Sequence, residues 1–220
     1  MKKYNEKVQR RLIQWITIPV LPVVIIGGYF WPYLGFIVGG LIIFFILLSI
    51  FKGRLYCGWF CPMGSFYERI LSAISLKKDI PALFKKTWFR WIMFMLLICF
   101  FVSRLVWAGV DPLKTGIVLS RMWIIAMSGA IIIGIIFKPR SWCRFCPMGT
   151  VQGMIGKKSY LLNIMEKCTQ CGVCLKVCPI ETYPGLAKER GTVNSEDCIR
   201  CANCVVNCPH NALYFNKKNK

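Results

Sequence analysis

The chain is poor in acid and almost without histidine. Its 220 residues carry nine Asp and Glu against 29 Lys and Arg, a formal charge of +20, and one histidine, His210. Charged residues make up 17% and apolar ones 56%, a balance foreign to a soluble protein of this length. Four long apolar segments, at about 12–30, 34–51, 88–107 and 117–137, hold no Asp, Glu or His at all. That excludes an intramembrane proton or ion relay built on ionisable side chains. It also leaves no pair of axial histidines, so no haem is expected in the spans. No acid–base pair stands out that would run hydrolytic or transfer chemistry. The basic charge flanks the apolar segments instead of forming one aromatic-laced patch, which argues against a nucleic-acid partner.

What is present divides in two. Each apolar segment has the roughly twenty residues needed to cross a hydrocarbon core. The start, MKKYNEKVQRR, resembles a signal peptide, but the apolar run after it is too long, lacks a small-residue cleavage site and is followed at once by a second span. It is expected to be the first of four transmembrane helices, kinked at Pro19 and Pro22. Five positive charges precede residue 12, eight lie between Lys52 and Arg90, and thirteen follow from Lys138; the other side has only Arg104, Lys114 and Arg121. The asymmetry places both termini and the central loop in the cytoplasm of a bacterial inner membrane, against anionic lipid. Small residues at four-residue spacing (Gly35, Gly39; Ala126, Ala130, Gly134) suit close helix packing.

Twelve of the thirteen cysteines fall in metal-type spacings, which suits reduced thiolates and not a secreted disulfide framework. Cys99, mid-span, is read as a small hydrophobe. The tail reads CTQCGVCLKVCP from Cys168 and CIRCANCVVNCP from Cys198. Three cysteines two residues apart, a fourth three further on, then proline is the bacterial two-cluster ferredoxin spacing, in which each fourth cysteine serves the other run's cluster. One [4Fe–4S] cube is expected on Cys168, Cys171, Cys174 and Cys208, the other on Cys198, Cys201, Cys204 and Cys178. A tight loop caps three corners of a cube, and the fourth corner faces away and needs a distant ligand. Zinc usually shows paired knuckles with a long spacer.

The ends of the second and fourth spans repeat. FKGRLYCGWFCPMGS (Phe51–Ser65) matches FKPRSWCRFCPMGT (Phe137–Thr150), with one residue fewer between the second pair of cysteines. Two hairpins related by an axis along the membrane normal would bring Cys57, Cys61, Cys143 and Cys146 to one four-thiolate site. An iron–sulfur cluster there suits the charge of Lys52, Arg54, Lys138, Arg140 and Arg144; a structural zinc site and free thiols stay open as alternatives. Ser65-x-x-Glu68 reads as a capping box for a following helix, with Phe66, Ile70, Ala73 and Ile74 as its apolar stripe. Trp59, Phe60, Trp142 and Phe145 are candidates for lining a quinone pocket, against a simpler role as interfacial anchors.

These motifs resemble the NapH/NosR-type four-helix membrane ferredoxins. The resemblance covers Val8 to about Phe215. Cys57, Cys61 and Pro62 match that family's Cys-x3-Cys-Pro motif, while Cys143, Cys146 and Pro147 are one residue shorter. The outer flavin-binding domain of NosR-type members has no counterpart here, so the compact NapH-like members are the nearer comparison. The resemblance implies an α-helical polytopic membrane protein with four spans as two repeated hairpins (residues 1–157) and a C-terminal α+β two-[4Fe–4S] ferredoxin domain (158–220). It further implies a quinol dehydrogenase-type electron-transfer subunit working with a redox partner protein, such as a membrane or periplasmic reductase system. The runner-up is a maturation or regulatory protein supplying electrons for assembly of a client metalloenzyme, and a third reading is a metal-stapled scaffold.

Overall fold

The structure is a computed structural model that describes residues 2–31, 33–109 and 111–215. The expected hairpins are present. The first runs up through α1 (Lys2–Thr17) and α2 (Val20–Phe30) and returns through α3 (Leu34–Lys52). Short helices α4 (Leu55–Trp59) and α5 (Pro62–Arg69) follow, then a turn to α6 (Ala82–Lys85). The second hairpin is α7 (Thr87–Ala108) and α8 (Pro112–Ile136). It ends in a 3₁₀ turn at Ser141–Arg144 and helix α9 (Pro147–Ile155). Four helical stretches, Asn5–Gly28, Leu34–Lys52, Thr87–Ala108 and Pro112–Ile136, are long and apolar enough to span a membrane.

The first span breaks between Thr17 and Val20, because proline at 19 and 22 removes backbone donors. Helix α1 is inverted relative to a soluble amphipathic helix. Arg10 and Gln14 are buried against the protein, while Leu12, Trp15 and Ile16 face outward, as a lipid-facing helix requires. The fourth span starts five residues earlier than the apolar run, since Asp111 caps it by accepting from the backbone N–H of Leu113 at 2.9 Å and Pro112 sits at the first helical position. The central spans α3 and α8 pack together, with Gly35 so close to the Gly116 carbonyl that an added Cβ would lie 2.3 Å from it.

Beyond α9 the chain forms a small α+β unit. Strands β1 (Leu162–Ile164), β2 (Thr192–Val193) and β3 (Leu213–Phe215) make an antiparallel sheet in the order β2-β1-β3. One-turn helices α10 (Val173–Lys176) and α11 (Asn203–Val206) follow the cysteine loops. The two halves repeat in backbone detail. Positive φ recurs at Gln170 and Arg200, at Gly172 and Ala202, and at Glu181 and Asn211, which are equivalent positions counted from each run's cysteines.

Candidate iron–sulfur sites

Cys168, Cys171, Cys174 and Cys208 line one small cavity together with Gln170, Pro209 and His210, and Cys171 is exposed at its edge. The Cys204 thiol is pushed up by burial, then by Cys201, Cys198 and Cys178 of the second expected set, and by Cys174 of the first. The two fourth cysteines are treated alike: the N–H of Thr182 donates to Cys178 Sγ at 3.2 Å, and that of Ala212 to Cys208 Sγ at 3.4 Å. Amide donors at thiolate sulfur stabilise the charged form, so the donor set fits iron–sulfur chemistry.

The twin Cys-Pro motifs meet at the base of the spans. Cys57 and Cys143 share a buried cluster with Cys201, Ile180 and Ile199, and Cys178 packs on it. Electrostatic influence at Cys61 comes, after burial, from Cys57 and Cys143, so the four thiols form one neighbourhood. Burial pushes Cys143 up to about 12, with Arg140 pulling it down. Among the described residues no three Cys, His, Asp or Glu side chains converge tightly enough for a single metal ion.

Both motifs start a helix at the proline after the second cysteine, which for the first copy is one turn earlier than the Ser65 capping box implies. Pro62 occupies the first helical position of α5 and Cys61 is its cap, with Sγ accepting from Gly64 N–H at 3.4 Å. Proline's fixed φ favours that register, which puts Ser65 and Glu68 inside the helix. Glu68 instead becomes the hub of a buried charge network. It accepts from Arg10 Nη2 at 2.6 Å and lies 2.7 Å from Arg140 Nε. Burial alone would raise its carboxyl; Arg140 and then Arg10 hold it at about 2. Arg10 also donates to the Gly58 carbonyl at 3.0 Å and to Asn203 Oδ1 at 2.8 Å, tying α1, the first Cys motif and the ferredoxin unit together.

The five basic candidates separate. Lys52 lies over the Tyr160 ring, Lys138 pairs with Glu181, and Arg144 with Asp197. Of the five, Arg54 and Arg140 are the two that donate to the opposite copy's first cysteine. The four aromatic candidates also separate. Trp142 and Phe145 pack in a buried core with Tyr67, Leu71 and Ala130. Trp59 donates to the Arg200 carbonyl at 3.2 Å, and Phe60 is exposed.

Carboxylates on the ferredoxin unit face cations on the helical part. Glu181 pairs with Lys138 at 2.8 Å and Lys85 at 2.5 Å; Asp197 pairs with Arg90 and Arg144, and Glu196 with Lys157 at 2.8 Å. Arg200, between Cys198 and Cys201, donates to the carbonyls of Gly156, Ser159 and Tyr160 at 2.8, 3.0 and 3.1 Å. Sequence reasoning missed Arg10, Glu68 and Arg200 as fasteners. The available signal was the scarcity of acids: with nine in all, each is worth tracing to a partner.

The fold and the paired cysteine sets define a four-helix membrane protein carrying ferredoxin-type iron–sulfur motifs. The comparisons name the family. A 4Fe-4S binding domain model matches residues 34–81 and again 120–163, the two repeat copies, and a 4Fe-4S dicluster domain model matches 160–209. The ferredoxin-type protein NapH of Escherichia coli is 27% identical over 189 residues, covering 77% of this chain and 64% of NapH. An uncharacterized protein of Methanocaldococcus jannaschii is 25% identical over 186 residues, covering 77% of this chain and 75% of that protein. The regulatory protein NosR of Pseudomonas aeruginosa is 26% identical over 172 residues, covering 71% of this chain and 24% of NosR. No solved structure matches the chain. The matched 4Fe-4S domains and these relatives support a place among the NapH/NosR-type membrane ferredoxins and make the chain an iron–sulfur electron-transfer protein of the membrane.

Proposed function

We propose that the chain exchanges electrons between the quinone pool and a redox partner protein, from the cytoplasmic side of the bacterial inner membrane. The observation that carries this reading is the seat of the ferredoxin unit. Its Ile199–Cys201 loop lies directly on the first Cys-Pro motif at the span ends, where a quinol head would approach. Iron–sulfur clusters, when bound, supply one-electron storage. The residues proposed to hold them are Cys168, Cys171, Cys174 and Cys208, then Cys198, Cys201, Cys204 and Cys178. A third cluster is assigned to Cys57, Cys61, Cys143 and Cys146, supported by the family match to both repeat copies.

Residues 1–157 form the membrane part and 158–220 the ferredoxin domain in this reading. Phe60, exposed beside Cys61, and Trp59 next to it are the proposed quinone contacts; Trp142 and Phe145, buried in a separate core with Tyr67 and Leu71, are not accessible to a quinone. The basic side of the spans is assigned to the cytoplasm on the charge asymmetry. Adding menaquinol or ubiquinol to the reconstituted full chain under argon is expected to bleach cluster absorbance. No bleaching with either quinol, in protein that dithionite does reduce, would overturn the quinone link. The name of NosR favours one second reading, a regulatory or maturation role. That role predicts that deleting the gene lowers the metal content of a client enzyme and not merely its electron supply.

A further inference from the structure

The two repeat copies exchange arginines. Arg54 of the first copy donates through Nη2 to the Cys143 carbonyl of the second at 2.6 Å, and Arg140 of the second donates through Nη1 to the Cys57 carbonyl of the first at 2.6 Å. The glycines of the two Met-Gly steps complete the exchange. A Cβ on Gly149 would lie 2.3 Å from Arg54 Nη2, and one on Gly64 would lie 3.1 Å from Arg140 Nη1. Both arginines are 1% exposed. Four matched contacts about one axis make a built feature of the duplication.

Charge gives the pair its meaning. Arg140 shares Glu68 with Arg10, so three charges of one acid and two bases leave a surplus cation. Arg54 forms no ion pair with a carboxylate among the described residues: its donors go to the carbonyls of Cys143, Glu196 and Asp197. A buried guanidinium without a counter-ion is costly. The groups beside this surplus that can carry negative charge are thiols: Cys61, Cys143 and Cys146 of the twin motif, with Cys198 near Arg54 and Cys201 near Arg140 on the ferredoxin side.

We propose that Arg54 and Arg140 are cross-copy positioning residues that serve an anionic metal–thiolate centre on Cys57, Cys61, Cys143 and Cys146, each fixing the opposite copy's first cysteine and supplying its counter-charge. The proposal rests on the third site assigned above and adds what that site requires: both copies must be locked together for either to hold metal. It also explains why the shortened Cys143–Cys146 spacing is tolerated. Arg54 clamps the 3₁₀ turn that replaces the helical α4 of the first copy.

The test uses the full chain purified anaerobically, with iron and acid-labile sulfide counted and an EPR redox titration run on each variant. The wild type is expected to hold about twelve irons, four per cube. Arg54→Gln is expected to fall to about eight while the ferredoxin signals persist. Arg54→Lys, which keeps the charge but not the fork, is expected to retain iron with an altered signal for the third centre. Gly149→Ala is the gentler probe, since its methyl group meets chiefly the end of the Arg54 side chain at 2.3 Å and approaches backbone only at the Cys143 carbonyl, at 3.3 Å. It is expected to lose the third centre or to lower its midpoint potential, because withdrawing a cation makes reduction harder. Wild-type iron and an unshifted third-centre potential in either Arg54→Gln or Gly149→Ala would overturn the proposal. Should Arg54→Gln not fold, Gly149→Ala decides alone. A wild-type chain with only eight irons would remove the third centre itself, and the proposal with it.

Discussion

Gly58→Ala is expected to unseat the ferredoxin unit from the span ends. A Cβ at residue 58 would lie 2.3 Å from the Ile199 carbonyl oxygen and 3.1 Å from Cys201 Cα. Both are backbone atoms, so no rotamer change relieves the contact. The loop holding Cys198, Arg200 and Cys201 must lift, which weakens the Trp59 to Arg200 hydrogen bond and separates Ile199 from Cys57. Overpacking of this kind costs about 1–3 kcal/mol, or a roughly 5–150-fold rise in the open population. Limited proteolysis of the segment around residues 156–160 should accelerate by that order. Unchanged protease resistance would mean that the two parts are not in backbone contact at this point.

The second large effect lies at Glu68. Removing its charge leaves Arg10 and Arg140, 4% and 1% exposed, facing each other without their shared carboxylate. Breaking a buried pair by deleting one partner costs about 3–5 kcal/mol, so Glu68→Gln should melt well below the wild type at pH 7. The pH dependence has a definite sign. The folded carboxyl sits at about 2, below its ordinary 4.5. The stabilisation is therefore complete above the unfolded value and is lost as pH falls from about 4.5 through 2, an amount of about 3 kcal/mol. Glu181, also held at about 2 by Lys138 and Lys85, titrates in the same window. The difference between wild type and Glu68→Gln isolates the one group. A variant that melts like the wild type at pH 7 would show the network to be dispensable.

The ferredoxin unit was legible as an iron–sulfur α+β domain because that chemistry restricts its spacing to two runs of four cysteines, each closed by a proline. The spans were legible from hydropathy, but not where helix runs on beyond the apolar segment: Asp111 caps the fourth five residues early, and α1 begins at Lys2, ten residues before the first apolar run. The repeat was legible too, from Phe51–Ser65 against Phe137–Thr150. What stayed hidden was which basic side chains turn inward. Lys52, Arg54, Lys138, Arg140 and Arg144 look alike in sequence, yet only Arg54 and Arg140 cross the axis, because that choice depends on the angle between the hairpins. Glu68 was misassigned for a related reason. A local motif, Ser-x-x-Glu, competed with Cys61-Pro62 for the start of one helix, and proline won. The role of Gly58 is invisible until the two parts are docked.

Iron and acid-labile sulfide counted per chain in freshly purified, oxygen-free protein, with EPR of the reduced sample, bears most directly on the account. About twelve of each, in three distinguishable signals with two of them ferredoxin-like, is the result the account predicts. Zinc in place of iron, or a tail whose cysteines are joined as disulfides, would contradict it.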